Sequence, residues 1–157
     1  MTRINDEVEP STPAAVVVET GESITYGELE DRSRRLAQLL RSRGLEPGGH
    51  VAVLLENHLR YFEVMWATRR AGLYLTPINW HLGADEAGYL LTDCEATALI
   101  TSSRFADLVD DLGHQLDGVT TRLSVDGGLD GFEDYETALA EHPAEPLDDE
   151  TLSLIHI

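Results

Sequence analysis

Short apolar runs alternate with helical segments between residues 51 and 142, and no other feature constrains the fold of this chain as strongly. The runs "VAVLLEN", "YLTPIN", "ATALITS" and "TRLSVDG" have the length and β-branched content of strands. Each is followed by a helical pattern: "HLRYFEVMWATRRAG", the stretch 84–93, "RFADLVDDLGHQL" and "FEDYETALAEH". Strands joined by helical crossovers lie parallel in one sheet. The sequence therefore predicts an α/β fold, a parallel sheet with helices on both faces.

The stretch before this alternation predicts a short β-hairpin followed by a long helix. "AAVVVETGESITY" combines a β-branched run, a turn that contains glycine and a second short strand. In "ITYGELEDRSRRLAQLLRSRG", Thr25 and Glu28 have the spacing of a capping box, which marks a helix start. Ser33 lies on the apolar stripe of that helix, which is formed by Leu29, Leu36 and Leu40.

Two finer predictions concern the middle of the chain. Pro77 lies inside "YLTPIN" and cannot donate to a sheet hydrogen bond, so this strand is expected at an edge, or the proline at a strand end. In the helix after "VAVLLEN", Leu59, Phe62 and Trp66 lie on one side, and Trp66 is expected in the core.

The charge of the chain excludes several functions. Acidic residues number 29 against 11 basic ones, for a formal net charge of -18, which argues against a nucleic-acid surface or an anionic membrane. All basic residues are arginine, so neither a GxxxxGK[ST] phosphate loop nor a lysine nucleophile is present. The one cysteine predicts a reducing, cytoplasmic setting, and no apolar run is long enough to span a membrane.

Candidate binding residues are the polar side chains that directly follow strands, because ligands of open parallel sheets bind beyond the strand carboxyl ends. Asn57 follows the first strand, and it either faces this crevice or caps the next helix. Asn79, Trp80 and His81 follow the second strand, and they either border a substrate pocket or form a turn with the tryptophan packed on the sheet. No glycine-rich dinucleotide turn, metal-ligand spacing or G-x-S-x-G motif occurs, and no residue is assigned a catalytic or metal-binding role.

Read in order, long stretches of the chain resemble the start of an adenylate-forming acyl-CoA synthetase, of the AMP-binding family. "SITYGELEDRSRRLAQLLRSRGLEPGGHVAVLLEN" resembles the opening of that family. "HLRYFEVMWATRRAGLYLTPINWHL" resembles its next unit, and "GADEAGYLLTDCEATALIT" the helix and strand after that. The segment Pro-Ile-Asn-Trp-His-Leu is more similar to the corresponding segment of fatty-acid synthetases of this family than to that of amino-acid adenylation domains. His81 stands where the family often has arginine.

The resemblance implies a full-length enzyme that joins a fatty acid, a small carboxylic acid substrate, to coenzyme A through an acyl-adenylate. It implies ATP, Mg²⁺ and coenzyme A as cofactors. The family's phosphate loop ends in Pro-Lys-Gly, and the chain contains no lysine. We therefore expect these 157 residues to be inactive alone and to bind none of the cofactors tightly. Two alternatives stay open: a non-catalytic flavodoxin-like binding module, and the adenylation domain of a peptide synthetase.

The expected organisation has four parts. Residues 1–13 form a flexible lead-in, 14–142 the N-terminal part of an AMP-binding domain, and 143–151 an exposed linker. The tail 152–157, "LSLIHI", resembles the in-frame translation of a transposon end used in preparing sequencing libraries. It is expected to be non-native, the alternative being a genuine short strand or docking tail.

Overall fold

The structure, a computed structural model, describes residues 3–150. An antiparallel hairpin is followed by alternating helices and strands that build one parallel sheet. The strands are β1 (Pro13–Val16), β2 (Ser23–Thr25), β3 (His50–Leu54), β4 (Tyr74–Pro77), β5 (Ala98–Ser102), β6 (Thr121–Val125) and β7 (Glu133–Asp134). The helices are α1 (Tyr26–Ser42), α2 (Arg60–Arg70), α3 (Ala84–Asp93), α4 (Ala106–Leu112) and α5 (Tyr135–Ala140).

The parallel sheet has the strand order β4-β3-β5-β6-β7. Helices α1, α2 and α5 pack on one face, where alternate strand residues such as Val51 and Ile100 are buried. Helices α3 and α4 pack on the other face, against Ala52, Leu54 and Leu99. Burial on both faces explains why the strand sequences are continuously apolar. The predicted α/β class, the hairpin and the helices on both faces are confirmed.

The start of α1 and the position of β4 in the sheet agree with the local sequence signals. The Thr25 hydroxyl accepts from the Glu28 amide at 3.2 Å, and the Glu28 carboxylate accepts from the Thr25 amide at 2.8 Å, so the predicted capping box starts α1. Ser33 is buried on the stripe of that helix, as predicted. Pro77 is the last residue of β4, and β4 is an edge strand.

The packed face of α2 was predicted wrongly. Its buried residues are Glu63, Val64, Ala67, Thr68 and Arg70, whereas Phe62 is 39% exposed and Trp66 is half-buried under the Arg69 guanidinium. The buried face thus combines the small or medium side chains of Val64, Ala67 and Thr68 with two charged residues, Glu63 and Arg70, whose burial the apolar pattern does not indicate.

A short strand also replaces the start of the predicted last helix. Glu133 and Asp134 pair with Leu123 and Ser124 of β6, and α5 begins only at Tyr135. The Asp134 carboxylate then caps α5 by accepting from the Thr137 amide at 2.8 Å.

Two buried ion clusters join the helices of one face. In the first, the Glu63 carboxylate is fully buried and lies 2.7 Å from both Arg32 and Arg60. Its second oxygen accepts from the Tyr135 hydroxyl at 2.8 Å. Burial, and then the negative charge of Glu63, raise the pKa of Tyr135 well above its usual value. The exposed Glu136 binds the same two arginines from the solvent side.

The second cluster is centred on Arg70, whose side chain is fully buried. Its Nε donates to the Ser33 hydroxyl at 3.0 Å, and its terminal nitrogens pair with Glu30 and Glu150. Glu150 is itself 5% exposed. This cluster therefore fixes the end of the described chain against α1 and α2.

The segments predicted as lead-in and linker both contact α1. In the lead-in, the Ile4 amide donates to the Glu30 carboxylate at 2.9 Å, and the Pro10 carbonyl accepts from the Gly27 amide. In the segment 143–150, the Glu145 carbonyl accepts from Gln38, and Leu147 packs on the core. The predicted non-native tail 152–157 lies outside the described residues.

Candidate functional site

The strand order places a topological switch point between β3 and β5. From β3 the chain moves to β4 through α2 on one face, then returns past β3 to β5 through α3 on the other. Crevices outside the strand carboxyl ends at such points are where open α/β sheets bind ligands. The candidate site is therefore the carboxyl edge formed by the residues after β3, β4, β5 and β6.

Side chains tie three of these strand ends together. The Ser102 hydroxyl donates to the Glu56 carboxylate at 2.9 Å, which joins the ends of β5 and β3. The Ser103 hydroxyl donates to the Asp126 carbonyl at 2.9 Å, which joins β5 to β6. His58 Nε2 lies 2.8 Å from the Asp126 carboxylate, which joins β3 to β6.

His58 also fixes the start of α2. Its Nδ1 lies 3.0 Å from the Arg60 backbone nitrogen and accepts the hydrogen bond from that amide. Since Nδ1 is an acceptor, the neutral ring carries its proton on Nε2 and donates it to Asp126. The capping alternative for Asn57 is therefore wrong. The N-cap residue of α2 is Leu59, and the free amide of Arg60 donates to the His58 ring rather than to Asn57.

A cleft of about 500 Å³ opens beside these strand ends. Its walls are formed by the hairpin residues 16–19, the segment 55–59 that follows β3, Tyr61 and Phe62 in the first turn of α2, and Trp80. Val16, Val18 and Phe62 are 54%, 88% and 39% exposed, so apolar surface is accessible there. The volume lies in the range of small-molecule pockets.

Of the four predicted site residues, the structure brings Asn57 and Trp80 to this cleft. Asn79 and His81 lie beside it and support Trp80. The Asn79 side chain accepts from the His81 amide at 3.0 Å, which forms a tight turn. The His81 ring stacks on the Trp80 ring with 3.6 Å between centroids.

Three further residues of this edge, Glu56, His58 and Arg104, were not predicted from the sequence. The Arg104 guanidinium lies over the Trp80 ring, 5.4 Å from its centroid. The signal was available, because each of the three follows a strand carboxyl end as Asn57 does. Polar residues after neighbouring parallel strands meet at one edge of the sheet, so the same rule indicates Glu56 and His58 beside Asn57, and Arg104 after β5.

The carboxyl edge does not fit ATP with Mg²⁺, nor the phosphates of coenzyme A. Its carboxylates, Glu56 and Asp126, would repel phosphate groups, and the hydroxyls of Ser102 and Ser103 already bind protein acceptors. The Arg104 guanidinium of this edge lies over the Trp80 ring. The glycine-containing turn after β6 leads into β7 rather than into a helix N-terminus that could bind an anion. We therefore derive no step through ATP from this chain.

No group of three or more His, Cys, Asp or Glu side chains in residues 3–150 could hold a metal ion. None of the helices there combines the length and apolar character needed to cross a bilayer.

Comparison with known proteins gives one family. The family model described as "AMP-binding enzyme" matches residues 4–156. The fatty acid--[acyl-carrier-protein] ligase ScoC of Streptomyces coeruleorubidus is 33% identical over 109 residues, which cover 69% of this chain and 21% of that protein. A feruloyl-CoA synthase of an Amycolatopsis species is 39% identical over 99 residues, 63% of this chain and 20% of the relative. This chain thus corresponds to about a fifth of either relative's length.

The solved structure of a Mycobacterium tuberculosis fatty acyl CoA synthetase has the same fold over 88% of this chain and 27% of that one. Its TM-score is 0.76 at 24% sequence identity. At that identity the similarity establishes the fold alone.

Proposed function

This chain belongs to the AMP-binding enzyme family, and we propose that it forms the first sheet unit of a fatty-acid–CoA ligase. The longer polypeptide would convert a fatty acid, ATP and coenzyme A into acyl-CoA, AMP and pyrophosphate. The observation that carries the proposal is the family match over residues 4–156. The single cysteine and the use of ATP and coenzyme A favour a cytoplasmic location.

Within that enzyme, the contribution of this chain is the cleft at the carboxyl edge. Asn57 and Trp80 line it and would border the acid substrate. Asn79 and His81 would act indirectly, because the turn and the stacked ring fix the orientation of Trp80. The ATP-binding groups would come from outside these residues, since the edge carries carboxylates and the chain has no lysine.

The test is acid-dependent exchange between ATP and labelled pyrophosphate by the polypeptide encoded by the intact genomic reading frame around these codons. We expect exchange with fatty acids such as decanoate, and formation of an acyl thioester when coenzyme A is added. Absence of exchange with any organic acid would refute the proposal.

A second candidate differs in the acceptor of the acyl group. ScoC is named as a ligase of acyl-carrier protein, so a phosphopantetheinyl carrier protein is a specific alternative to coenzyme A. Supplying each acceptor separately in the same assay decides between them. Exchange with amino acids alone would instead indicate the peptide-synthetase alternative. The family assignment removes the support for an unrelated flavodoxin-like module.

A further inference from the structure

The His58 ring contacts two separate elements of the carboxyl edge, and the two contacts respond differently to a proton. Nδ1 accepts from the Arg60 amide at 3.0 Å, at the start of α2. Nε2 lies 2.8 Å from the Asp126 carboxylate, in the loop after β6. A neutral imidazole supplies one acceptor and one donor, whereas a protonated imidazole has two donors and no acceptor. Protonation of His58 is therefore compatible with the second contact and incompatible with the first.

The contact with the Arg60 amide is the part of the α2 start that depends on the ring. The Tyr61 amide donates to the His58 carbonyl and the Phe62 amide to the Leu59 carbonyl, both at 3.1 Å, so these two bonds involve no titratable group. A proton on Nδ1 would face the Arg60 N–H group, at a helix end where the backbone dipole already disfavours positive charge. That hydrogen bond is then lost, and backbone bonds alone hold the first turn.

The contact with Asp126 becomes a charged pair when the ring is protonated. Asp126 has a φ of 60°, in the left-handed region, and its carbonyl accepts from the Ser103 hydroxyl at 2.9 Å. This hydrogen bond fixes the backbone that carries the carboxylate. The His58 side chain is 17% exposed, so the ring is partly shielded from water. Because charge-assisted hydrogen bonds are stronger than neutral ones, the protonated ring stays with the loop after β6.

Charged and titratable groups surround the ring from every element at this edge. They are Asp126 after β6, Glu56 after β3, Glu19 of the hairpin, Arg60 and Tyr61 of α2, and, beside the cleft residue Trp80, His81 and Arg104. The Glu56 carboxylate accepts from the Ser102 hydroxyl. The Arg60 guanidinium binds Glu63 and Glu136. These groups influence the pH at which the ring takes up its proton, whereas the two direct contacts decide what that proton does.

We propose that His58 is a pH-sensitive switch at the carboxyl edge. The neutral ring fixes the first turn of α2, and the protonated ring releases this turn while it keeps Asp126. Tyr61 and Phe62 of the same turn form one wall of the cleft, so acidification loosens that wall. The switch is a property of the conformation of this chain and does not depend on the proposed ligase activity.

The experiment measures hydrogen exchange of the Arg60 amide in the 157-residue chain at about pH 8 and about pH 5, the range over which histidine changes its charge. Imidazole nitrogen chemical shifts of the same samples show when the His58 ring is protonated. We expect the protection factor of the Arg60 amide to fall about fivefold to tenfold as the ring takes up its proton, as for the loss of one hydrogen bond. The Ile78 amide, which donates to the Val53 carbonyl, should keep its protection.

Two substitutions of His58 separate its contacts. His58→Asn places a side-chain oxygen near the position of Nδ1 without reaching Asp126, so the Arg60 amide should stay protected at both pH values. His58→Gln places a polar group near the position of Nε2 and lacks the acceptor for Arg60, so protection should be low at both. His114→Gln, at an exposed histidine after α4, is the matched control and should keep the pH dependence of the unsubstituted chain.

A pH-dependent fall that persists in His58→Asn would overturn the proposal, because it would arise from another group. The proposal also fails if the Arg60 amide is unprotected at about pH 8, or if the His58 ring stays neutral down to about pH 5. Protonation of the ring without loss of protection at Arg60 would contradict it as well. Pyrophosphate exchange by the longer polypeptide tests the proposed function separately, and none of these results bears on it.

Discussion

Replacement of Glu63 by alanine should lower the free energy of unfolding by about 3 kcal/mol, because it removes one partner of a buried ion pair. The Glu63 carboxylate is fully buried, and its removal leaves the buried Tyr135 hydroxyl without an acceptor. Arg32 and Arg60 then keep only the half-exposed Glu136 as a carboxylate partner. Unpaired buried groups cost more than the pair contributes. Urea denaturation followed by circular dichroism measures the change.

Glu136 supplies a matched control. It binds the same two arginines, Arg32 and Arg60, but its side chain is 51% exposed. Glu136→Ala should therefore cost about 0–1 kcal/mol, as exposed ion pairs do. Equal losses for Glu63→Ala and Glu136→Ala would show that burial of the first carboxylate has no energetic consequence, contrary to our interpretation.

Tyr135 gives a second readout of this cluster through pH. Its pKa is raised in the fold, by burial first and then by Glu63, so the folded protein holds the neutral phenol at a pH where the unfolded chain ionises. The contribution of Tyr135 to stability should be constant up to about pH 10 and then be lost as pH rises towards the folded pKa. The chain has no lysine to titrate in that range. Tyr135→Phe should remove this fall, and Tyr89→Phe should keep it.

Replacement of Arg70 by methionine should cost about 3–5 kcal/mol and release the segment 143–150. The change leaves Glu150, which is 5% exposed, without its cation, while Glu30 keeps Arg34 at 2.6 Å. Hydrogen exchange should show loss of protection at the Glu150 amide, which donates to the Leu147 carbonyl. The unfolding free energy is measured in parallel.

The control for Arg70 is its neighbour Arg69, half-buried on the same turn of α2. Arg69→Met should change stability by less than about 1 kcal/mol. In the double variant Arg70→Met, Glu150→Leu, the uncompensated charge is gone, so much of the stability should return. If the double variant is less stable than Arg70→Met alone, the buried pair is not the source of the loss.

The sequence was informative where the signal is local or periodic. The capping box at Thr25 and Glu28 needs residues three apart only, and the helix Ala84–Asp93 was located to the residue by its pattern. Pro77 predicted an edge strand or a strand end, and both apply, because the missing donor acts at the proline itself. Continuous apolar strands implied burial on both faces, and both faces are covered.

The predictions that were wrong concern features that depend on contacts between residues distant in the sequence. Glu63 and Arg70 lie in a helix whose packed side was predicted from its large apolar residues. Their burial depends on partners from α1, α5 and the segment 143–150. The strand β7 consists of two acidic residues with no strand propensity, and it exists through pairing with β6. In the candidate site, Asn57 and Trp80 were predicted because each follows a strand. The position of Arg104 beside Trp80 depends on the order of the strands in the sheet, which the sequence does not specify locally.

We propose that this chain supplies a scaffold of the AMP-binding family that borders the organic-acid site but does not bind ATP. The most direct measurement is pyrophosphate release by the purified 157-residue chain with ATP, Mg²⁺, decanoate and coenzyme A. We predict no acid-dependent release above the rate without protein. Acid-dependent release accompanied by AMP would contradict the claim, because it would require a phosphate-binding site within these residues.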